Sequence, residues 1–289
     1  MSTPSVCAIF VTYNPSSTFL ENIATASAQV GKIIVVDNGS SGNTESYLRD
    51  LESREDCEVI RNLENLGIAV ALNRGIEYAL EARFDWIATF DQDSKMSNGF
   101  VGKMLETYEH DLMPKKIAIL APTYVDRESS VPGRLMRTGS GEILTTMTSG
   151  SMMPSNIIRT LGPFDESLYM DYVDIELCLR ARRKGLRIVQ STAILFHSLG
   201  HTTYHRFLGL RFGATNHSAS RRFYITRNRC KLLMRYAMDW RWTWREFRAM
   251  LFETVKIVLV EDNKWRKIRA VVAGGVEALK GKEGKQLEL

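Results

Sequence analysis

Two carboxylates one residue apart, Asp91 and Asp93, are the first candidates for chemistry in this sequence. They follow Asp85–Phe90 (DWIATF), an apolar run typical of a buried strand. Alternation along an extended chain places residues i and i+2 on the same side. Two hard carboxylate oxygens in that arrangement can share Mg²⁺ or Mn²⁺ with a diphosphate. The pattern D-x-D is common, so it is evidence for a metal site only if its position in the fold suits one.

A second acidic group lies in the window 165–180. The window contains five carboxylates, those of Asp165, Glu166, Asp171, Asp174 and Glu176. From Asp174 onward apolar residues interleave with charges, and we predict a helix that begins near Asp174. The positive end of a helix dipole favours a carboxylate at that point. The alternative interpretation is a capped surface helix with an i,i+4 pair between Glu176 and Arg180.

The elements that must position these groups form an alternating pattern. Apolar runs predict strands at Ser5–Val11, Lys32–Val36, Cys57–Ile60, Asp85–Phe90, Lys116–Ala121 and Ile143–Met147. Helical stretches such as Ala69–Leu80 separate the early runs. Continuous β-branched runs between helices indicate parallel strands covered on both faces. We therefore predict an α/β fold: an open, mostly parallel sheet with helices on both faces, followed by a helical C-terminal extension.

Polar residues follow three of the predicted strands. They are Thr12–Asn14, Asp37–Asn38 and Asp91–Asp93. In open α/β sheets, ligands bind outside the carboxyl ends of the strands. Asp and Asn also form turns at such positions. Three polar ends in succession favour a nucleotide site over turn formation alone.

Seven segments, in this order, resemble the inverting glycosyltransferases of family two, which have the GT-A fold. The segments are IFVTYN (9–14), VVDNGS (35–40), NLGIAVALNRGI (65–76), FDQDS (90–94), TSGSMM (148–153), GPFDESLYMDYVDIELCLRARRKG (162–185) and FHSLG (196–200). They cover about residues 6–200. The version YMDYVDIELCLR is more similar to the rhamnosyltransferase branch. Many relatives have Glu-Asp where this chain has Val173-Asp174, so the partner of the assigned base is missing or replaced by Asp171.

The resemblance implies roles for the acidic residues. Asp174 would be the catalytic base, and Asp93 would hold Mg²⁺ or Mn²⁺. His197 would close the metal or diphosphate site. His201 and His205 extend His197 into an i, i+4, i+8 series, but Gly200 and the neighbouring threonines weaken a helical zinc site there. We expect His201 and His205 to be ordinary loop histidines.

The resemblance also implies a binding site for a nucleotide-sugar donor. Asp37 would accept the imide N–H of a pyrimidine, and Thr12, Tyr13 and Asn14 would line the pocket for base and ribose. Asp91 would lie beside the ribose and phosphate. The further binding residues are Asn65, Gly67, Arg74 and Gly150. An arginine here can cancel diphosphate charge. The acceptor would enter opposite the diphosphate, past Thr148–Ser151, where Gly150 permits close backbone approach.

The implied function is transfer of a sugar with inversion. The rhamnosyltransferase signature favours dTDP-β-L-rhamnose as donor and a hydroxyl of a glycan or lipid-linked glycan as acceptor. A UDP-sugar donor is the alternative within the same family. A sugar-1-phosphate nucleotidyltransferase would need a glycine-rich loop after the first strand, where this chain has Tyr13-Asn14-Pro15. A nucleic-acid-binding module is disfavoured because residues 1–200 are acidic and would repel phosphates.

Charge divides the 289-residue chain. The formal net charge is +5, with −6 on residues 1–200 and +9 on residues 201–250. We predict two domains, a GT-A catalytic domain at 1–203 and a basic, aromatic-rich helical region at 204–289. Amphipathic helices are predicted at Glu246–Val260 and Lys264–Ala273. The basic region is expected to meet an anionic membrane surface, or to pack on the catalytic domain or a second copy with its arginines solvated.

Targeting signals and disulfides are not predicted. No run of about 18 apolar residues is present, and the first residues lack the basic start of a signal peptide. The four cysteines are scattered, which indicates buried free thiols. We expect a cytoplasmic protein, peripheral on the inner face of the membrane if the basic region binds lipid.

Overall fold

The computed structural model describes residues 4–42, 44–127, 129–133, 135–198, 203–207 and 210–286, with the backbone alone at 203–207, 210–212 and 214. The chain divides into two compact units. The first unit comprises Met1–Glu166 and Val173–Ser198. The second unit comprises Ser167–Tyr172 and Leu199–Leu289. A six-residue segment from the middle of the chain thus belongs with the C-terminal region.

The strands are short to medium in length. They are β1 Val6–Thr12, β2 Lys32–Asp37, β3 Cys57–Arg61, β4 Trp86–Asp91, β5 Lys95–Met96, β6 Ile117–Asp126, β7 Met136–Arg137, β8 Ile143–Thr145, β9 Ser151–Pro154, β10 Arg187–His197, β11 Thr203–Phe207 and β12 Leu210–Ala214.

One eight-stranded sheet organises the first unit, in the order β3-β2-β1-β4-β9-β6-β10-β5. Strands β3, β2, β1 and β4 pair in parallel, as do β6 and β10. Strand β9 runs antiparallel between β4 and β6, and β5 runs antiparallel to the end of β10. The prediction of an open, mostly parallel α/β sheet is confirmed.

Helices surround the sheet in the first unit and dominate the second. They are α1 Thr18–Ser27, α2 Thr44–Glu52, α3 Ile68–Glu81, α4 Phe100–Glu109, α5 Ser155–Leu161, α6 Val173–Arg183, α7 Ala219–Arg235, α8 Trp240–Val260 and α9 Lys264–Leu279. The predicted helix near Asp174 is α6, and the predicted helix Ala69–Leu80 is α3.

The core of the first unit is built on the apolar strands. Every residue of β1 is buried, as expected for a strand covered on both faces. The ring of Phe10 stacks on that of Phe90, with centroids 4.9 Å apart, and Phe19 of α1 meets Phe10 edge-on at 6.0 Å. Such aromatic pairs add stability beyond the area that they bury. This packing fixes the strand ends that carry the polar residues.

The strands in the middle of the chain were predicted only in part. The run Ile143–Met147 was predicted as one strand, and strand β8 is found there but ends at Thr145 and pairs with β7 in a separate two-stranded sheet. Strand β9 was not predicted. Its sequence SMMP contains no β-branched residue, and its place between β4 and β6 is decided by tertiary pairing rather than by local propensity.

Helices α7 and α9 of the second unit pack closely. The sequence predicted that α9 would end before Gly274-Gly275, but the helix continues to Leu279. A Cβ atom added at Gly274 would lie 2.5 Å from the carbonyl oxygen of Phe223 and 3.1 Å from the nitrogen of Arg227. Gly274 therefore allows close approach of the two helices, and packing outweighs the low helix propensity of glycine.

Many cations of the second unit are buried in ion pairs. The pairs are Arg222–Glu261, Arg229–Glu253 (3.0 Å), Arg229–Glu246 (3.3 Å), Lys231–Glu283 (3.0 Å) and Lys267–Glu261 (3.0 Å). Arg227 is fully buried and donates to the carbonyls of Ser167, Leu168 and Gly284. The expectation that the arginines of residues 201–250 are solvated is wrong for these side chains. Many of the cations behind the net charge of +9 are therefore paired or hydrogen-bonded inside the second unit.

The segment Ser167–Tyr172 has an unusual backbone. Tyr169, Asp171 and Tyr172 have φ values of 61°, 55° and 66°. The left-handed conformation costs roughly 1–2 kcal/mol for each residue with a side chain, and it persists only where the surroundings impose it. The buried side-chain amide of Asn228 donates to the carbonyls of Leu168 (2.7 Å), Met170 (2.7 Å) and Asp171 (3.0 Å). Asn228 of α7 therefore clamps the segment.

Candidate active site

Three possible metal ligands converge at the carboxyl edge of the sheet. Asp91 ends β4, Asp93 lies two residues further on, and His197 ends β10. One ligand atom from each residue lies within 4.8 Å of the other two. His197 Nδ1 is 3.2 Å from Asp93 Oδ1. Hard oxygens with one imidazole nitrogen suit Mg²⁺ or Mn²⁺, so these side chains fit the ion that the sequence implied.

The short strand β5 brings these groups together. Strands β4 and β10 are separated in the sheet by β9 and β6. After Asp93 the chain turns, and β5 pairs with the end of β10 so that Lys95 lies opposite Phe196. This pairing carries Ser94 to His197, and their Oγ and Nδ1 atoms are 2.8 Å apart. Sequence reasoning placed Asp93 and His197 at one site by resemblance, and β5 is the structural reason for their proximity.

Serine hydroxyls connect the cluster to the neighbouring strands. Ser94 Oγ is 2.6 Å from Ser149 Oγ, which accepts a hydrogen bond from the backbone nitrogen of Asp91. Arg127 donates to the carbonyl of Asp93. Ser94 and Ser149 lie in two of the segments that carry the family resemblance, but no role was predicted for them or for Arg127. Only the three-dimensional pairing shows what these three side chains contact.

The acidic surroundings change the basicity of His197. Its side chain is largely buried, which disfavours the charged imidazolium. The hydrogen bond that the ring donates to Asp93 and the charges of Asp93, Asp91 and Asp126 outweigh this effect, so the pKa of His197 is raised above its ordinary value. The three carboxylates near this imidazole favour a positive charge at this position, whether a proton or a metal ion carries it.

The proposed nucleotide pocket lies at the ends of β1 and β2. Thr12 and Asp37 are paired neighbours across these strands. Gln92, which was not selected from the sequence, accepts from Thr12 Oγ1 (3.0 Å) and from the backbone nitrogen of Tyr13 (2.8 Å). Hydrogen bonds thus join the turn that carries Asp91 and Asp93 to the predicted pocket residues. Tyr13 is exposed, and its ring is available to a ligand.

The carboxylate of Asp37 is buried and already hydrogen-bonded. It accepts from the backbone nitrogen of Ser40 at 2.9 Å and from the hydroxyl of Ser40. Asn14, with φ 47°, accepts from the nitrogen of Ser41 and donates its own backbone N–H to Ser40 Oγ. The loop 38–41 therefore orders both predicted pocket residues. The assignment of Asp37 to a pyrimidine imide remains a proposal.

Asn38 organises the second group of predicted donor residues. Its amide donates to Asn65 Oδ1 and to the carbonyl of Gly67, each at 3.2 Å. Gly67 precedes α3 with φ 90°, a conformation for which glycine is suited. Arg74 is exposed, and its guanidinium donates to Asn62 Oδ1. Asn65, Gly67 and Arg74 are thus gathered beside the end of β2. The sequence placed Asn38 at this strand end but predicted no role for its side chain.

Gly150 has a packing explanation. It is buried with φ 75°, and an added Cβ would lie 2.7 Å from Leu195 Cδ2 and 2.8 Å from Pro122 Cγ. Its backbone nitrogen donates to the carbonyl of Thr89 at 2.7 Å. Tight packing between β4, β6 and β10 therefore accounts for glycine here. A contact with a donor or acceptor remains a proposal.

Asp174 stands in the first turn of α6, where the helix dipole stabilises a carboxylate. Its Oδ1 accepts from the backbone nitrogen of Ile175 at 2.8 Å. The side chain is half-buried and lines a small cavity with Thr89, Thr148 and Ser151. This cavity adjoins the loop that the sequence predicted as the acceptor approach.

Two other carboxylates of the acidic window pair with arginines. Glu176 is buried and pairs with Arg180 at 2.9 Å, as the surface-helix interpretation expected for that pair. Asp171 pairs with Arg221 at 3.0 Å within the second unit. Asp174 lines the cavity with Thr148 and Ser151, and its assignment as the base remains a proposal.

His201 lies outside the described residues. His205 lies in strand β11, of which the backbone is described, so the prediction of a loop at His205 was wrong.

A mostly parallel sheet with an Asp-x-Asp turn and a histidine at its carboxyl edge fits a sugar-transferring enzyme, and the chain belongs to glycosyl transferase family 2. The family model matches residues 7–154, about half of the chain. The chain is 29% identical to the dTDP-rhamnosyl transferase RfbF of Shigella flexneri, an alignment that covers 97% of each sequence. The poly-beta-1,6-N-acetyl-D-glucosamine synthase of Staphylococcus aureus is 24% identical over 61% of this chain and 45% of its own. The chain is therefore a glycosyltransferase.

Solved structures show the same fold at low identity. TarS residues 1–349 of S. aureus in complex with UDP-GlcNAc match 96% of this chain and 73% of their own, with a TM-score of 0.56 and 11% identity. GalNAc-T7 with UDP, GalNAc and Mn²⁺ matches 71% of this chain and 44% of its own, with a TM-score of 0.53 and 12% identity. The predicted GT-A fold is confirmed.

Proposed function

We propose that this glycosyltransferase moves L-rhamnose from dTDP-β-L-rhamnose to a hydroxyl of a glycan or lipid-linked glycan, with inversion at the anomeric carbon. The near full-length similarity to a dTDP-rhamnosyl transferase carries the choice of donor. The convergence of Asp91, Asp93 and His197 supports a diphosphate leaving group whose charge must be balanced. Nucleotide sugars are cytoplasmic metabolites, so we place the reaction on the cytoplasmic side.

Asp91, Asp93 and His197 would hold Mg²⁺ or Mn²⁺. When bound, the ion supplies Lewis-acid stabilisation of the charge on the departing diphosphate. The protein's own contribution is to orient the nucleotide. Asp37 and Thr12 would position the base and ribose at the ends of β1 and β2, and Arg74 would add positive charge near the donor.

Asp174 would act as the base. As the acceptor oxygen attacks C1 of rhamnose, its proton passes to Asp174, the C1–O bond to the diphosphate breaks, and dTDP leaves with the bonding electrons. A single displacement of this kind inverts the anomeric centre and gives an α-L-rhamnoside. Thr148 and Ser151, beside Asp174 in the cavity, are suited to hold the acceptor hydroxyl.

The test is a comparison of donors. Purified protein is incubated with dTDP-L-rhamnose or with UDP-GlcNAc, each with Mn²⁺, and thermal stabilisation and release of free nucleotide are measured. A donor at 100 times its Kd stabilises the fold by about 2.7 kcal/mol. Stabilisation by dTDP-rhamnose alone supports the proposal. An α-linked product in the proton NMR spectrum then supports inversion, and a β-linked product contradicts it.

A UDP-sugar donor is the second candidate. It is favoured by the N-acetylglucosamine synthase similarity and by the UDP-GlcNAc complex of TarS. Strong stabilisation by UDP-GlcNAc without a response to dTDP-rhamnose would replace the first candidate with this one.

A further inference from the structure

Helix α8 presents an apolar stripe to solvent. The stripe, here called the α8 face, consists of Trp240, Trp244, Phe247, Leu251, Val255 and Val258. The spacings of three and four residues place these side chains along one side of the helix. Each is between 41% and 66% exposed. A monomeric soluble protein rarely exposes a continuous apolar strip of this size, so the α8 face marks an interaction surface.

The charges of α8 are divided between its two sides. Its two carboxylates, Glu246 and Glu253, bond to Arg229 within the second unit. Arg241 and Arg248 are exposed, and the helical period places them beside the apolar stripe. Arg241 lies over the ring of Trp240 at 5.7 Å. The solvent side of α8 therefore combines apolar side chains with cations, while its two carboxylates pair with Arg229 inside the second unit.

Helix α9 repeats this composition. Trp265, Val272, Val276 and Leu279 are exposed and follow each other at spacings of seven, four and three residues. Arg269 is exposed next to them on the helical wheel. Two successive helices of one unit thus carry exposed apolar stripes with basic flanks.

We propose that the α8 face, with the α9 stripe, lies on an anionic phospholipid surface as an interfacial helix. Exposed tryptophan, aliphatic side chains and a flank of arginine are the composition that binds at the headgroup level of a bilayer. Among the described residues, no helix has the length and hydropathy to cross a bilayer. The surface would therefore hold the enzyme on the membrane rather than in it.

Charge distinguishes this occupant from a second copy of the chain. In a two-fold symmetric dimer with antiparallel α8 helices, the same patch meets itself and the two basic flanks lie on the same side of the interface, where their charges repel. Anionic headgroups instead neutralise the flank. The inference does not depend on the identity of the donor sugar, because it rests on the surface of the second unit alone.

The test is vesicle sedimentation of the full-length protein. The vesicles are phosphatidylcholine alone, or equal parts phosphatidylcholine and phosphatidylglycerol. One variant combines L251Q with V258Q, and another combines R241Q with R248Q. The matched control combines K115Q with K116Q, which removes the same charge from an exposed site in the first unit. All four side chains changed on α8 are exposed, so the variants are expected to fold, as the melting temperature will show.

We expect the wild type to sediment with the anionic vesicles and to be released by salt. Removing Arg241 and Arg248 should weaken binding about 25-fold, because each cation near such a surface contributes about a fivefold factor. The L251Q/V258Q variant should lose binding to anionic vesicles, and the lysine control should bind as the wild type does. Donor-induced thermal stabilisation should be unchanged in every variant, which separates this inference from the proposed function.

Any one of three results would overturn the inference. The first is that the wild type sediments with neither kind of vesicle. The second is that the lysine control weakens binding as much as the arginine variant does, and the third is that L251Q/V258Q keeps full binding. A dimer in solution that dissociates in L251Q/V258Q, with no vesicle binding by the wild type, would assign the face to a second copy instead.

Discussion

The two units use charged residues in opposite ways. In the first unit, Asp91, Asp93 and His197 gather at the open edge of the sheet, where a ligand can reach them. In the second unit, Arg222, Arg227 and other charged side chains are buried among helices and hydrogen-bonded to partners of the same unit. A cluster at a strand edge therefore indicates function, whereas a basic helical segment can be mostly structural. Net charge along the sequence does not separate these cases.

The strongest test of the first unit is the base. Asp174→Asn keeps the size of the side chain but cannot accept the acceptor proton, so we expect the transfer rate to fall about 10³-fold. Donor binding, measured by thermal stabilisation, should be retained. Asp171→Asn is the matched control, because Asp171 is engaged with Arg221. Equal losses in both variants would move the role of base away from Asp174.

The metal site should show the next largest effect. Asp93→Asn removes one ligand of the cluster, and we expect a loss of about 10²–10³-fold in transfer, the range for groups that stabilise developing charge. Mn²⁺ binding, followed by calorimetry without donor, should weaken in parallel. Asp50→Asn removes the same charge from an exposed position of α2 and serves as the control. Full activity of Asp93→Asn in the presence of EDTA would refute the metal role.

The contribution of the buried side-chain amide of Asn228 to the stability of the second unit can be measured. Asn228→Ala removes the donor to three carbonyls of the segment Ser167–Tyr172. We expect the free energy of unfolding to fall by about 2–3 kcal/mol, because buried acceptors lose their partner. Urea unfolding measures the loss. Asn156→Ala, at an exposed position of α5, should lower the free energy of unfolding far less, and equal losses would contradict the stabilising role of Asn228.

Two adjacent glycines provide a smaller and more specific contrast. Gly274→Ala places a methyl group against the backbone of α7 and should destabilise by about 1–2 kcal/mol. Gly275→Ala meets nothing within 4 Å and should stabilise by about 0.5–1 kcal/mol through helix propensity. Unfolding is followed by tryptophan fluorescence, because four of the five tryptophans of the chain belong to this unit. The same sign for both substitutions would show that α7 and α9 are not in close contact.

The smallest expected effect is the pH dependence of the metal-free protein. The pKa of His197 is raised in the folded state, so its ion pair with Asp93 stabilises the fold below the ordinary histidine pKa of about 6.5. This stabilisation is lost as the pH rises through the raised value. His197→Gln should remove that part of the pH profile. An unchanged profile would mean that another group causes it.

Much of the fold was predictable from sequence. Long β-branched runs such as Lys32–Val36 gave β2, and the periodic stretch Ala69–Leu80 gave α3, because local pattern and tertiary environment agree there. Strand β9 and the pairing of β5 with β10 were not predictable, because their short sequences carry little local signal and tertiary partners decide their structure. At the site, the sequence predicted the acidic motifs. It did not predict the roles of Gln92, Asn38 and Ser149, because these side chains contact residues that are far apart in the sequence.

The course of the chain through Ser167–Tyr172 has a consequence for building hybrid enzymes. These six residues belong to the second unit, although the residues on both sides belong to the first. Asn228 and Arg227 hold carbonyls of this segment, and Val173 resumes the first unit one residue before Asp174. A chimera that exchanges only the C-terminal region would pair one enzyme's α7 with another enzyme's segment. The two stretches are expected to be inherited and transplanted as a pair, with a crossover on each side of residues 167–172.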